Sequence, residues 1–438
     1  MLLRATFRNI LSFKDEIQIS FVAGKSDLHP NQVFRAEKRD DISVLKSGII
    51  YGANASGKSN IIKAIYIIQE IALGRFPRYL IEPFKLSASN DPVSMIEVEI
   101  KVDAKYYAYG VEFNIQGINE EWLYEIGSRT EKQVFTRKAN STEFNYQFAP
   151  ISGGAANSQL LQFLSHGTPN DKSFLSEYIH RNGVGLDAIR PAFGWFANRL
   201  QIIFPETKYQ GLSYQVESNV RLQEYTKSLL EYFNTGIYDI RHYPIQKEES
   251  DLPPEYINNI LAKGTPGQIV SISTPRNMYY LTLGDNGSYQ LTKQKAVHLD
   301  DSRKEVIFEM DQESDGSLRL LDFIPILIDL RMNPRVYLVD EIDRSMHPML
   351  SMKILECYHS TLSASRDTQF IFTTHESNLL NLNLIRADEV WFVEKDRDGA
   401  SHMTSLAEYK PREDIQKGYL QGRYGAIPFF APIQSLKW

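Results

Sequence analysis

Residues 52–60 read GANASGKSN. Gly52 through Ser59 match G-x-x-x-x-G-K-[ST] at every fixed position, a spacing built to cradle phosphate. The glycines let backbone N–H groups turn inward around phosphate oxygens. Lys58 can reach the outer phosphates, and the Ser59 hydroxyl can hold Mg²⁺. The candidate binding set is Gly52, Ala53, Asn54, Ala55, Ser56, Gly57, Lys58, Ser59 and Asn60. A second constellation lies far downstream in RVYLVDEID. Four apolar residues, Val336 to Val339, lead to Asp340 and Glu341. A carboxylate at the end of a buried strand is costly unless a cation or hydrogen-bond donors meet it. Asp340 is therefore the candidate partner of Ser59 at the metal, and Glu341 the candidate that polarises an attacking water. Read alone, the same residues could be a solvated acidic turn.

TQFIFTTH follows, another apolar run, which ends at His375. A neutral histidine can donate a hydrogen bond near pH 7, so His375 can report a terminal phosphate without a permanent charge. A structural or exposed histidine is the plainer alternative. Between the two constellations, Ser314-Asp315-Gly316-Ser317 opens a helical pattern. Small residues at a helix start expose N–H groups and a hydroxyl to an anion, although an ordinary N-cap has the same composition. The candidate catalytic residues are thus Lys58, Glu341 and His375.

These residues need elements to hold them. SGIIYG is a short buried strand before the glycine loop, and SNIIKAIYIIQEIALG has the apolar spacing of a helix ending at Gly74. From EVIFEM onward strands and helices alternate, the pattern of a mostly parallel sheet. LLRATFRNI, EIQISFVAG, MIEVEIKVD and KYYAYGVEF alternate polar and apolar residues as antiparallel strands do, with a hairpin across Asp103-Ala104-Lys105. FLSEYIHRNG, AIRPAFGWFANRLQIIF and SNVRLQEYTKSLLEYFN read as helical. The expected division is 1–75, the first part of the nucleotide head; 76–150, an antiparallel β subdomain; and 151–245, an inserted and mostly helical subdomain. The second part of the head follows at 246–410 and a tail at 411–438.

The bulk composition sets limits. Hydrophobic residues make up 42% and charged residues 23% of 438, enough for a real core. A net charge of -6 argues against coating nucleic acid by bulk charge, while leaving room for a local basic patch. Cys357 is the single cysteine and cannot form an internal disulfide, in keeping with a reducing cytosol. Arg4 and Arg8 interrupt the first apolar stretch, and no window approaches the roughly 20 apolar residues of a membrane span, so a cytoplasmic protein is expected.

The order of glycine loop, Ser-x-Gly helix start, apolar strand with Asp-Glu, and strand with His resembles the ABC-type ATPases, in particular their SMC/RecF/OLD-like branch. GANASGKSN is similar to the G-x-N-x-S-G-K-S-N of that branch. The resemblance implies an α/β ABC-ATPase head: a mixed phosphate-loop sheet with flanking helices and an antiparallel β subdomain, interrupted by an inserted helical subdomain. It further implies ATP and Mg²⁺ as cofactors and a head-to-tail dimer, or a higher oligomer, in which Ser314 and Gly316 act in trans on the nucleotide of another copy. Residues 343–348, DRSMHP, take the place of the loop that crosses this interface. The helix start departs from the family's Leu-Ser-Gly-Gly, with Glu313 and Asp315 where leucine and glycine are common, which bears on hydrolysis rate more than on binding. No glutamine stands out for the loop that family members use beside the metal.

FRNILSFKDE, YYAYGVEF, DEIDRSMHP, FTTHESNLL, VWFVEKDRDGAS and KGYLQGRYGAIPFF together resemble the RloA/AbiLi-type ATP-binding proteins, to which the ATPase of the PARIS antiphage system is related. That resemblance implies a sensor or scaffold in antiviral defence. Its partner would be a separate effector, a TOPRIM nuclease of the RloB sort, and its trigger DNA or a phage protein. About sixty residues follow His375, too few for a fused TOPRIM domain, so no nuclease activity of its own is expected. Asp396-x-Asp398 could be read as a metal pair, but the Asp-Gly step points to a hairpin turn. Other readings stay open. One is a structural assembly protein in which ATP acts as glue, and another is a RecF-like DNA-repair ATPase. A third, an importer-type ABC subunit, has no membrane-coupling feature to support it.

Overall fold

The computed structural model describes every residue except 36–41, 88–91, 128, 140–143, 207–219, 275–276, 364–365, 412–413 and 428–438. The chain forms two compact units. The first comprises Met1–Pro205, Asn333–Ile342 and His359–Trp438, and the second Glu206–Met332 and Asp343–Tyr358.

The first unit is built on a six-stranded sheet in the order Leu200–Ile203, Val336–Val339, Gln369–Thr374, Ser47–Gly52, Val390–Lys395, Ser401–Ser405. The first five strands are parallel and the last is antiparallel. The three strands that matter most here, Val336–Val339, Gln369–Thr374 and Ser47–Gly52, are wholly buried, which explains their unbroken apolar runs. Pairing of Val339 with Phe372 and of Thr374 with Tyr51 brings Asp340, Thr373 and Gly52 to one carboxyl edge of the sheet. Open α/β sheets bind ligands at that edge. The helix Lys58–Ala72 buries Ile61, Ile62, Ile65, Ile68 and Ile71. Isoleucine is a mediocre helix former, so tertiary burial rather than propensity holds this helix.

A seven-stranded antiparallel sheet completes the first unit, in the order Phe144–Phe148, Glu131–Ala139, Gly117–Ile126, Lys105–Asn114, Ser94–Val102, Leu2–Arg8, Ile17–Ser20. The hairpin across Asp103-Ala104 is present, with Val102 opposite Lys105. Two strands of this sheet come from the first twenty residues, so it is not confined to 76–150. Residues 151–205 also differ from the expectation of an inserted helical block. Leu161, Leu164, Phe174, Ile189 and Trp195 join the main core of the first unit. The stretch expected to be one helix stops at Arg199, and Leu200–Ile203 forms an edge strand of the parallel sheet. The physical reason is that a short β-branched run before Pro205 meets a free edge at Val336–Val339, and ladder hydrogen bonds outweigh helical spacing.

The second unit holds a five-stranded antiparallel sheet. Tyr289–Leu299 pairs with Asp239–Pro244, Met278–Leu283 and Glu305–Glu309, and Met278–Leu283 pairs with Ile269–Ser273. Leu252, Ile257, Ile272, Tyr279, Leu281 and Leu291 form a core beneath it. The helices Val220–Tyr232, Pro254–Lys263 and Asp315–Met332 belong to this unit. Asp239–Pro244, placed by the sequence reading at the end of a helical block, is thus a strand.

The described part of the tail packs rather than projects. Tyr419 and Tyr424 stack on Phe392 with ring centroids 5.6 and 5.7 Å apart. Phe429 and Phe430, part of the KGYLQGRYGAIPFF resemblance, lie outside the described residues. No helix among the described residues is long and apolar enough to cross a membrane, and none of their His, Cys, Asp and Glu groupings could hold a metal unaided. Cys357, the single cysteine, is buried.

A buried ion pair and a buried histidine in the first unit have measurable consequences. Glu121 and Arg137 form a fully buried ion pair at 2.8 Å. Glu121 also accepts hydrogen bonds from Tyr109 and from the backbone N–H groups of Phe174 and Leu175, which fixes the start of the helix Phe174–His180. Removing one member strands the other charge, so Arg137→Ala should lower unfolding free energy by about 3–5 kcal/mol, read by denaturant titration.

His359 is held by the Gln32 amide at Nδ1 (2.9 Å) and by Ser47 at Nε2 (2.8 Å). The amide N–H donates to Nδ1, so Nε2 carries the ring proton and donates to Ser47 Oγ. Burial pushes the imidazole down to about 3 from its ordinary 6.5. The unfolded chain therefore binds the proton first, and this contribution is fully present above pH 6.5 and lost as pH falls toward 3. Replacement by glutamine, His359→Gln, should flatten the acid limb of the stability curve in that window, measured as thermal midpoint against pH.

Candidate nucleotide site

The strand Ser47–Gly52 ends in a loop that turns through two left-handed residues, Ala55 at φ 63° and Gly57 at φ 114°. A Cβ at Gly57 would come within 2.3 Å of Ser401 Oγ and 2.8 Å of Ser12 Oγ. A Cβ at Gly52 would meet Ser56 Oγ and the Val393 carbonyl, each at 2.4 Å. Both glycines are therefore required by space, and Gly57 also by its backbone angle. The helix Lys58–Ala72 starts at once, and no side chain caps its N-terminus. An uncapped helix start presents N–H groups and the positive end of the dipole to an anion.

Lys58 is buried, and its Nζ donates to the carbonyls of Gly52 (2.8 Å) and Ala53 (3.0 Å) and contacts His375 Nδ1 at 3.4 Å. The ammonium thus stands at the mouth of its own loop with exchangeable acceptors. His375 is exposed at the end of Gln369–Thr374, on the same lysine that the phosphate reading needs.

Ser59, the second helical residue, donates from Oγ to Asp340 Oδ1 at 3.0 Å. Asp340 is buried and receives a second hydroxyl, from Thr373 Oγ1, at 2.7 Å. Among the described residues these hydroxyls are its side-chain partners, and a carboxylate held by two hydroxyls keeps lone pairs for a cation. The residue set fits Mg²⁺: one hydroxyl and one carboxylate, both hard oxygen donors, face each other at the carboxyl edge of the sheet. Ser56 Oγ adds a buried polar atom with no hydrogen-bond partner among the described residues, as a loop shaped for phosphate oxygens would have.

Glu341 is half-buried and held at φ 53°, a left-handed conformation that a non-glycine residue adopts only under constraint. The constraint is Thr373, whose hydroxyl accepts from the Glu341 N–H at 2.7 Å while its carbonyl accepts from Ile342 N at 3.1 Å. Thr373 therefore fixes both acidic residues, a role that sequence reading missed. The adjacent Thr373-Thr374 pair at the end of an apolar run was the signal.

The remaining candidates divide between two places. Asn60 is not turned to the loop's interior, because its Nδ2 donates to Ser12 Oγ at 2.8 Å. Ser314 and Gly316 belong to the second unit. Ser314 caps the helix Asp315–Met332, its Oγ accepting from Ser317 N at 3.1 Å, and a Cβ at Gly316 would lie 3.2 Å from the Ser345 carbonyl. The Ser-x-Gly turn and the 343–348 loop thus pack together, with Ser345 itself at φ 60°. Asp396 organises a hairpin turn, its Oδ1 accepting from the N–H groups of Asp398 and Ala400 and its Oδ2 pairing with His402. The Asp-x-Asp sequence is a turn device here.

A glycine loop at the carboxyl end of a parallel strand, with an Asp-Glu strand one place away across Gln369–Thr374, defines a phosphate-loop nucleotide-binding domain of mixed α/β fold. A family model described as "AAA domain, putative AbiEii toxin, Type IV TA system" matches residues 49–381, and the chain belongs to that family. Two similar solved structures are SMC heads. The SMC head domain from Thermotoga maritima is 13% identical, with a TM-score of 0.39 over 92% of this chain and 98% of that one. The SmcHead bound to the C-winged helix domain of ScpA is 15% identical, with a TM-score of 0.40 over 93% and 99%. No curated protein matches the chain.

If Thr373 aligns both acidic residues, Thr373→Val should reduce ATP turnover about 10–100-fold, measured as phosphate release, because loss of alignment at a reacting centre carries penalties of that size. Turnover equal to that of the unaltered protein would remove Thr373 from the site.

Proposed function

We propose that this chain is an ATPase switch: it binds ATP with Mg²⁺ on residues 52–59, hydrolyses it, and presents its nucleotide state to a separate effector. The observation that carries the reading is the 3.0 Å contact between Ser59 of the loop helix and the buried Asp340. Two motifs separated by most of the chain have no structural need to meet in this way unless they share a ligand. Bound at Ser59 and Asp340, Mg²⁺ would supply charge neutralisation between the outer phosphates.

The chain's own residues do the rest. Lys58 exchanges its loop carbonyls for phosphate oxygens, a swap of acceptors that keeps a buried ammonium hydrogen-bonded. Glu341, aimed by Thr373, orients the attacking water and accepts its proton. His375, already at Lys58, donates to the terminal phosphate. Ser314 and Gly316 of a second copy close over the nucleotide, so that ATP joins two heads and hydrolysis parts them. The acidic neighbours Glu313 and Asp315 slow this cycle relative to a Leu-Ser-Gly-Gly helix start. The effector we favour is a TOPRIM-type nuclease in prokaryotic antiviral defence, in line with the RloA/AbiLi resemblance, with DNA or a phage protein as trigger.

Light scattering of two variants with and without ATP·Mg²⁺ tests the reading. Glu341→Gln should lose at least about 100-fold in turnover and accumulate as a dimer or larger species in ATP. Lys58→Ala should stay at its ATP-free size. Turnover unchanged in Glu341→Gln, or the same size for both variants in ATP, would overturn the proposal.

A further inference from the structure

We propose that Ser401 and Ser12, with Asn60, are positioning residues that hold the phosphate loop in its binding shape. The inference rests on the reading of residues 52–59 as the nucleotide site. A loop whose N–H groups converge on an anion must turn its carbonyls outward, and each buried carbonyl then needs a donor. The donors can be found one by one. The Gly52 and Ala53 carbonyls take Lys58 Nζ, the donor that the proposed function turns to phosphate; the Ala53 carbonyl also takes Ser56 N, and the Gly57 carbonyl takes Asn60 N and Ile61 N. The Ser56 carbonyl is met from outside the loop, by Ser401 Oγ at 2.6 Å.

Ser401 is 1% exposed, and its Oγ also lies 2.8 Å from Ser12 Oγ. A hydroxyl has one proton, and a carbonyl can only accept. The Ser401 proton therefore goes to the Ser56 carbonyl, and the contact between the two serines is donated by Ser12. Ser12 in turn accepts from Asn60 Nδ2 at 2.8 Å. The result is a directional chain from Asn60 through Ser12 and Ser401 to the loop, in which each bond polarises the next. The two serines are also tied through the backbone, Ser401 N donating to the Ser12 carbonyl at 2.8 Å. Their hydroxyls occupy the space beside Gly57 where a Cβ would sit, so the chain closes over the left-handed residue that turns the loop. None of the three side chains is needed to touch nucleotide; they act through the backbone of Ser56 and Gly57.

Steady-state ATP hydrolysis and calorimetric titration with ATP·Mg²⁺ on Ser401→Ala and Ser12→Ala test this. Loss of the terminal donor should raise KM and Kd for ATP about tenfold, with kcat within twofold and the thermal midpoint lowered by only a few degrees. Should Ser401→Ala fail to fold, Ser12→Ala breaks the same chain in its middle and should show the same shift in KM and Kd. Affinity equal to the unaltered protein in a folded variant, or a fall in thermal midpoint without a change in Kd, would overturn the positioning role while leaving the function intact. An unaltered protein that itself binds no ATP would instead overturn the nucleotide reading, and the positioning role with it.

Discussion

A single carboxylate sets the terms for the first unit. Asp340 follows four buried residues and is itself buried, so its carboxylate must be met by hydrogen-bond donors. Meeting it requires the Ser59 helix on one side and the Thr373 strand on the other. That requirement is satisfied only when Val336–Val339, Gln369–Thr374 and Ser47–Gly52 lie side by side in parallel register. The sheet order, the buried apolar runs and the helix packed by isoleucines can all be seen as the framework that brings two hydroxyls to one acid.

The same edge concentrates unusual backbone. Ala55, Gly57 and Glu341 all adopt left-handed angles at the site, and Ser345 does so beside Gly316 in the second unit. Each non-glycine instance costs on the order of 1–3 kcal/mol and persists only where neighbours hold it. At Glu341 the holder is the Thr373 hydroxyl. At Gly57 it is the packing of Ser12 and Ser401, which leaves no room for any side chain. Strain and its restraint occur together here, as they do where a site is shaped before its ligand arrives.

Much of this was readable from residue order. The glycine loop, the Asp-Glu strand and the strand ending at His375 carry their own spacing, and the structure brings Lys58, Ser59, Asp340, Glu341 and His375 to one edge. The Asp396 hairpin followed from its Asp-Gly step. What could not be read was anything that depends on a neighbour distant in sequence. Leu200–Ile203 continues a helical pattern, and only the open edge of Val336–Val339 makes it a strand. Asn60 sits within the motif and was assigned to nucleotide, but its amide is claimed by Ser12, 48 positions away. Thr373 left only the adjacent Thr373-Thr374 pair as a signal, and Ser401, in the mixed strand Ser401–Ser405, left none. The division of the chain followed the same logic, because composition shifts do not record which strand will find which sheet.

The bond between Ser12 and Ser401 spans 389 positions of sequence, and Ser47–Gly52 takes one of its two sheet neighbours from Val390–Lys395. Contacts of such separation form late and at high entropic cost. On the ribosome, residues 52–59 are made before the hairpin of Val390–Lys395 and Ser401–Ser405, so the Ser56 carbonyl waits for its Ser401 donor until that hairpin joins the sheet. A chain cut before residue 401 therefore keeps every residue of the glycine loop and still lacks the hydroxyl that meets its Ser56 carbonyl.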